Sequence, residues 1–169
     1  EPLVRLGRVR FSTCEHATRE SLHVALVESH PDVVHFVGHG EYDLTEQQGF
    51  LVLEDERRQS VYVDATELAR LLRRYGTNAV ILNACESARG IWAGLAPTLV
   101  RADIPAVVAM QWPIEDRAAV TFAKSFYRTL AAGRAIDECV SEGRVAMDTA
   151  APHSIMWAAP VLFIRSLDG

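Results

Sequence analysis

The chain has 169 residues, of which 49% are apolar and 23% charged, and its formal net charge is −5 at pH 7. This length and composition predict one globular domain. The negative balance, with Lys124 as the one lysine, argues against binding a nucleic-acid backbone, because that affinity rests on clustered Lys and Arg. No apolar run reaches the roughly 18 residues that span a bilayer, and no secretory signal is visible, so we expect a soluble cytoplasmic protein.

The chain opens at Glu1 within an alternating apolar pattern that predicts a first strand and includes Val4, Leu6, Val9 and Phe11. We therefore expect residues 1–169 to form a single domain cut from a longer polypeptide. Thr18 to Ser29 has apolar residues at helical spacing and predicts a helix that stops before Pro31. The run 33–37 is typical of a strand covered on both faces by helices, and it is predicted to end at Gly38.

A β-hairpin is predicted next, because the β-prone runs 50–53 and 60–63 flank the charged segment 54–58. Asp64 and Glu67 then have the spacing of a helix-capping pair, and the apolar stripe that follows predicts a helix closed by Gly76.

The rest of the chain alternates between strand and helix patterns. The predicted elements are a strand at 79–83, a helix at 93–101, a strand at 105–111, a helix at 115–132, a helix from Ile136 to Met147 and a strand at 161–164. This alternation implies an α/β fold with a mainly parallel sheet, helices on both faces and the hairpin at its margin.

Two reactive side chains are predicted at the carboxyl ends of buried strands. His39 follows the first apolar run, flanked by Gly38 and Gly40, and Cys85 follows the run 79–83. Reactive groups gather at this edge of an open α/β sheet, and the glycines would let the backbone turn sharply. We therefore expect His39 and Cys85 to face each other across one cleft.

A cysteine beside an imidazole is the arrangement of a cysteine hydrolase. The thiolate of Cys85 would attack a peptide carbonyl, and His39 would protonate the leaving amine and then activate water against the thioester. The oxyanion needs preorganised donors, for which the backbone N–H groups of Gly40 and Cys85 are the nearest candidates.

The chain resembles the CHAT domains of the caspase-like clan of cysteine peptidases. His39 and Cys85 lie 46 residues apart, near the spacing of about 50 found in caspases. The resemblance covers nearly the whole chain and rests on five segments in the family's order, namely 17–20 (ATRE), 34–40 (VHFVGHG), 83–87 (NACES), 112–116 (WPIED) and 157–159 (WAA).

The resemblance implies a three-layer caspase-like sandwich with His39 as the catalytic histidine and Cys85 as the nucleophile. It also implies a protein substrate, no cofactor, and a longer chain in which helical repeats of the tetratricopeptide (TPR) type regulate the domain. Basic-specific relatives often carry an aspartate two residues before the cysteine, whereas this chain has Asn83. We predict that Asn83, Glu86, Trp112 and Asp116 contact the substrate.

Several other residues have a structural interpretation. His35 lies about 13 Å along the strand from His39, too far to share a metal ion, and is predicted to be structural. Cys139 is expected to be an inert helical thiol. Cys14, Cys85 and Cys139 form neither an even disulfide set nor a zinc pattern, so we predict free thiols and no metal.

Other enzyme classes lack their signatures. Phosphate-binding and dinucleotide loops are absent, as is the Gly-x-Ser-x-Gly elbow of α/β hydrolases. Ala84 and Glu86 flank Cys85 where a glutamine amidotransferase would have glycines. The remaining alternative is a domain of the same fold that regulates or binds other proteins without cleaving them.

Overall fold

The computed structural model describes residues 9–43, 45–46, 48–84 and 91–165. Six strands lie in this part of the chain: β1 (Val33–Asp43), β2 (Gln48–Glu54), β3 (Ser60–Asp64), β4 (Ala79–Ala84), β5 (Ala106–Met110) and β6 (Pro160–Ile164). Its α-helices are α1 (Arg19–Ser29), α2 (Ala65–Arg74), α3 (Ile91–Arg101), α4 (Asp116–Ala131) and α5 (Ile136–Ala150). A short 3₁₀ helix, Met156–Ala158, precedes β6.

The strands form one sheet in the order β3-β2-β1-β4-β5-β6. β1 pairs with β4 and β4 with β5 in parallel, whereas the β1–β2, β2–β3 and β5–β6 pairs are antiparallel. The α/β class and the marginal hairpin are confirmed, but the expectation of a mainly parallel sheet is wrong. β2 and β6 run opposite to β1, β4 and β5, whereas β3, which is antiparallel to β2, runs in the same direction as those three strands.

β1 pairs with β4 on one edge and with β2 on the other. Among the described residues, Val33 to Gly38 pair with β4, as far as Gly38↔Ala84, and His39 to Asp43 pair with β2, beginning at His39↔Val52. The prediction that this strand ends at Gly38 is therefore wrong. Hydrogen bonding to β2 continues the extended backbone for five more residues.

Capping side chains explain where the first two helices begin. The Thr18 hydroxyl accepts a hydrogen bond from the Ser21 N–H while the Ser21 side chain accepts one from the Thr18 N–H, a reciprocal cap that begins α1. The Asp64 carboxylate accepts hydrogen bonds of 2.8 Å from the backbone N–H groups of Thr66 and Glu67 and begins α2. Gly76, at φ +77°, follows α2 in a conformation that favours glycine.

Two hydrophobic clusters lie on opposite faces of the sheet. Alternate residues of the central strands separate them, with Val80 and Leu82 in the first and Ile81 in the second. Helices α1, α2 and α3 contribute to the first cluster through residues such as Leu26, Leu72 and Leu99, and helices α4 and α5 build the second through Phe122, Phe126, Val140 and Met147.

The predicted opening strand is not formed where it can be assessed. Val4 and Leu6 lie outside the described residues, and residues 9–14 have no regular secondary structure, with Phe11 exposed. No helix in the described ranges combines the length and apolar character needed to cross a membrane.

Helices α4 and α5 approach each other closely at Gly143. A Cβ atom at this position would lie 2.5 Å from Cδ2 of the buried Phe122 ring. The missing side chain of Gly143 therefore makes room for an aromatic ring of the second cluster, although alanine is intrinsically the better helix former.

We predict that Gly143→Ala lowers the free energy of unfolding by about 1–3 kcal/mol, because overpacking outweighs the gain in helix propensity. Chemical denaturation of the variant measures this loss. In a Phe122→Leu background the same substitution is expected to cost much less. An equal cost in both backgrounds would show that contact with the ring is not the cause.

Candidate active site

His39 lies within β1, where the pairing with β2 begins. It follows Gly38, which pairs with Ala84 of β4, its side chain is exposed, and Val52 of β2 lies directly opposite. The sequence predicts His39 just after the end of a strand, whereas the structure has it in the interior of one. The imidazole is nevertheless accessible to a substrate from solvent.

The glycines beside His39 have a different role from the predicted sharp turn. Neither Gly38 nor Gly40 has a positive φ, and β1 passes through both without turning. At Gly38 a Cβ atom would lie 2.9 Å from Cζ of Phe36, so its absence leaves space for the Phe36 ring. Gly40 is buried opposite Leu51, so one oxyanion-hole candidate lies inside a paired strand.

Cys85 and Glu86 lie outside the described residues. The residue before Cys85 in the sequence, Ala84, ends β4 and pairs with Gly38, the residue before His39. His39 and Cys85 therefore directly follow, in the sequence, two residues that pair with each other.

Asn83 occupies the neighbouring position in the same register. It is half-buried and lies opposite Val37, a residue whose side chain is 71% exposed. The sheet face at this point is thus open to solvent and offers an amide and an apolar side chain with no charge on either.

The two remaining candidate substrate contacts lie farther along the sheet. Trp112 follows β5, two strands from β1, and packs half-buried against the second hydrophobic cluster. Its indole Nε1 is buried and has no hydrogen-bond partner among the described residues. Asp116 is exposed in the first turn of α4, where a negative charge favours the helix dipole.

His35, predicted to be structural, is largely buried between the sheet and α4. Its Nδ1 lies 3.0 Å from the hydroxyl oxygen of Tyr127, and the ring centroids are 5.8 Å apart. Burial lowers the pKa of His35 and raises the pKa of Tyr127. The sequence did not reveal this pairing, because the partners are 92 residues apart and Tyr127 has the pattern of an ordinary core residue.

The cysteines in the described ranges differ in environment. Cys14 is exposed, with its sulfur 3.3 Å from the Ser21 hydroxyl. Cys139 is buried on α5, and burial together with the nearby carboxylates of Glu138 and Asp137 raises its thiol pKa, which favours the unreactive form. Over the same ranges no group of three or more His, Cys, Asp or Glu residues could hold a metal ion.

The family model described as the CHAT domain matches residues 1–165. No curated protein matches the chain.

The buried His35 predicts a specific pH dependence of stability. Its folded-state pKa lies below its ordinary value of 6.5, so the unfolded chain takes up the proton first as the pH falls. The contribution of His35 to the free energy of unfolding is therefore complete above its ordinary pKa of 6.5. It is lost progressively as the pH falls below that value, with a slope of at most about 1.4 kcal/mol per pH unit.

His35→Gln, which keeps an acceptor for the Tyr127 hydroxyl, is expected to flatten this loss between about pH 7 and pH 5. Urea denaturation across this range measures the effect. The control is His153→Asn, at an exposed position with φ +77° that asparagine tolerates. Identical pH profiles for His35→Gln and the unsubstituted protein would contradict the assignment.

Proposed function

The chain belongs to the CHAT domain family of the caspase-like clan, and on that premise we propose that it is a cysteine endopeptidase that cleaves a protein partner. Cys85 is the nucleophile and His39 the acid–base group. The single observation that carries the proposal is the pairing of Gly38 with Ala84, the residues directly before His39 and Cys85.

Covalent geometry limits how far apart the two residues can be. Consecutive α-carbons are about 3.8 Å apart and neighbouring strands about 4.8 Å, so the α-carbons of His39 and Cys85 lie within about 12 Å of each other. Side chains that extend toward each other cover such a distance. The exposed imidazole of His39 supports the proposal further, because it leaves space for a substrate carbonyl.

The reaction follows from the chemistry of the two groups. The Cys85 thiolate adds to the peptide carbonyl, the oxyanion accepts hydrogen bonds from the N–H groups of Gly40 and Cys85, and protonated His39 gives its proton to the departing amine. Neutral His39 then takes a proton from water, which hydrolyses the thioester and returns the free cysteine.

The finer architecture that we propose is the three-layer caspase-like sandwich. It is supported by the hydrophobic clusters on the two faces of the sheet, each with its own helices. Asn83 and Trp112 would contact the substrate together with Glu86 and Asp116. An uncharged Asn83 beside Val37 favours an uncharged residue before the cut bond.

We propose that regions outside this domain control the activity. Helical repeats of the TPR type would receive the signal, and the cytoplasm, where thiols remain reduced, would be the compartment. The competing candidate within the same family is a non-catalytic domain that binds proteins, and the two experiments below distinguish it from a peptidase.

Alkylation by iodoacetamide tests the coupling of the dyad. In a Cys14→Ser background, which removes the exposed thiol and keeps a hydroxyl beside Ser21, we expect Cys85 to react at neutral pH. His39→Gln should slow this reaction roughly tenfold, because the imidazole no longer stabilises the thiolate. Peptide mapping by mass spectrometry follows Cys85 separately from Cys139.

The matched control is His153→Asn, which should leave the alkylation rate within about twofold. Equal rates for His39→Gln and this control between about pH 5 and pH 9 would reject coupling between His39 and Cys85.

Proteolysis tests the reaction itself. Cleavage of a denatured protein mixture by the activated protein is expected to disappear in Cys85→Ala and to persist in Cys14→Ala, with thermal unfolding unchanged in both. Cleavage at an equal rate by Cys85→Ala would exclude Cys85 as the nucleophile. Absence of cleavage by the unsubstituted protein, whatever the activation, would favour the binding domain.

A further inference from the structure

The second half of β1 and the β2–β3 hairpin form a small antiparallel sheet with two unlike faces. One face is buried against the first hydrophobic cluster through Leu51, Leu53 and Val63. The pairing register places alternate residues on the other face, namely His39, Val52 and Tyr62 in one row, Glu41, Phe50 and Asp64 in the next, and Asp43, Gln48, Glu54 and Ser60 beyond them. We call this second surface the open face.

The open face has an apolar centre that is not used by the core. Phe50, Val52 and Tyr62 belong to neither hydrophobic cluster, and Tyr62 is 48% exposed. The rings of Phe50 and Tyr62 pack edge to face with centroids 6.2 Å apart. Val37, 71% exposed, continues the apolar surface along β1 on the same side as His39. Exposed aromatic and branched side chains that share one surface are typical of protein contacts.

Apart from His39 and the Tyr62 hydroxyl, the ionisable side chains on the open face are all carboxylates. This face carries the carboxylates of Glu41, Asp43, Glu54 and Asp64 and neither Lys nor Arg. Asp43 accepts hydrogen bonds from the N–H groups of Thr45 and Glu46, which lower its pKa, so it remains ionised. Asp64 is likewise engaged at the start of α2.

The other two carboxylates, those of Glu41 and Glu54, are both exposed. Glu54 Oε2 lies 3.8 Å from Nδ1 of the exposed His16, a contact with which a basic partner would compete. The Glu41 carboxylate, as an acceptor for the Tyr62 hydroxyl and through its negative charge, raises the pKa of Tyr62. Arg19, which contacts the β3 backbone, is already bound to Glu67 and to the Tyr62 carbonyl oxygen. Electrostatic complementarity therefore favours a partner that carries positive charge.

We propose that the open face docks a segment of the protein substrate in which Lys or Arg side chains alternate with apolar ones. This inference rests on the proposed function, since His39 belongs to the same face and a segment bound there passes directly beside the candidate site. A second copy of this chain is disfavoured as the occupant, because it would bring a further set of carboxylates against the first.

Binding to the Cys85→Ala protein tests the docking surface without requiring catalysis. The probe is a fluorescent peptide of about ten residues in which Lys alternates with Val, and its counterpart has Glu in place of each Lys. We expect saturable binding of the Lys peptide, measured by fluorescence anisotropy, and none of the Glu peptide. Amide shifts in the NMR spectrum should cluster on residues of the open face.

Charge-neutral variants separate a specific site from general attraction by an acidic protein. Glu41→Gln with Glu54→Gln should weaken binding at least about fivefold. The matched control, Glu142→Gln with Asp148→Asn on the exposed surface of α5, changes the net charge equally and should weaken it less than about twofold. Equal losses in both pairs, or no saturable binding, would overturn the proposal.

A second pair of substitutions tests the apolar part of the open face. Val52→Thr with Tyr62→Ser keeps every charge and the β-branched residue of β2, and it should also weaken binding several-fold with little change in thermal unfolding. Unchanged affinity would overturn the mixed apolar and basic segment that we propose. Because these measurements need no cleavage, failure of docking and failure of proteolysis remain distinguishable.

In a protein that cleaves, the same variants should reduce cleavage of a long Lys-Val substrate while leaving a four-residue fluorogenic peptide unaffected. The short peptide reaches only the site around His39, whereas the long one also covers the open face. An equal reduction for both substrates would contradict a separate docking surface.

Discussion

The pairing of β1 with β4 on one edge and with β2 on the other is the constraint on which the rest of the arrangement depends. Val33 to Gly38 hydrogen-bond to β4 in parallel, and His39 to Asp43 hydrogen-bond to β2 in antiparallel. The antiparallel pairing continues β1 beyond Gly38, so backbone hydrogen bonds fix the position of His39 more exactly than a loop would.

Local signals in the sequence predicted the local structure. The helix starts at Thr18 and Asp64 depend on side chains within three residues of the backbone groups that they satisfy, so the pattern contained the whole interaction. Strand pairing is not local. Nothing in the sequence of residues 39–43 identifies β2 as their pairing partner. The glycines on both sides of His39 are as compatible with a turn as with a continued strand. The Phe36 ring, which needs the space at Gly38, accounts for one glycine without any turn.

The candidate site likewise combines features that the sequence predicted with contacts that it could not predict. The rule that reactive groups gather at carboxyl ends of strands selected His39, whose catalytic role stays a prediction, and the predicted local conformation is wrong because His39 lies within β1. The contact between His35 and Tyr127 joins residues on different elements, so no spacing could reveal it. The prediction that His35 is structural agrees with its buried position, but its partner required the packing of α4 on the sheet.

Alternation along β1 assigns its two faces to different tasks. Val34, Phe36 and Tyr42 all point to the first hydrophobic cluster and hold the strand in place. On the other face His35 is covered by α4, Val37 is largely exposed, and His39 and Glu41 are exposed in turn. Helix coverage thus ends between His35 and Val37, so the strand is anchored on one face along its whole length and open on the other only where chemistry and docking would need access. A one-residue shift of register would exchange these faces and bury His39, which is why the pairing of β1, more than any single side chain, determines whether this surface can act on a substrate.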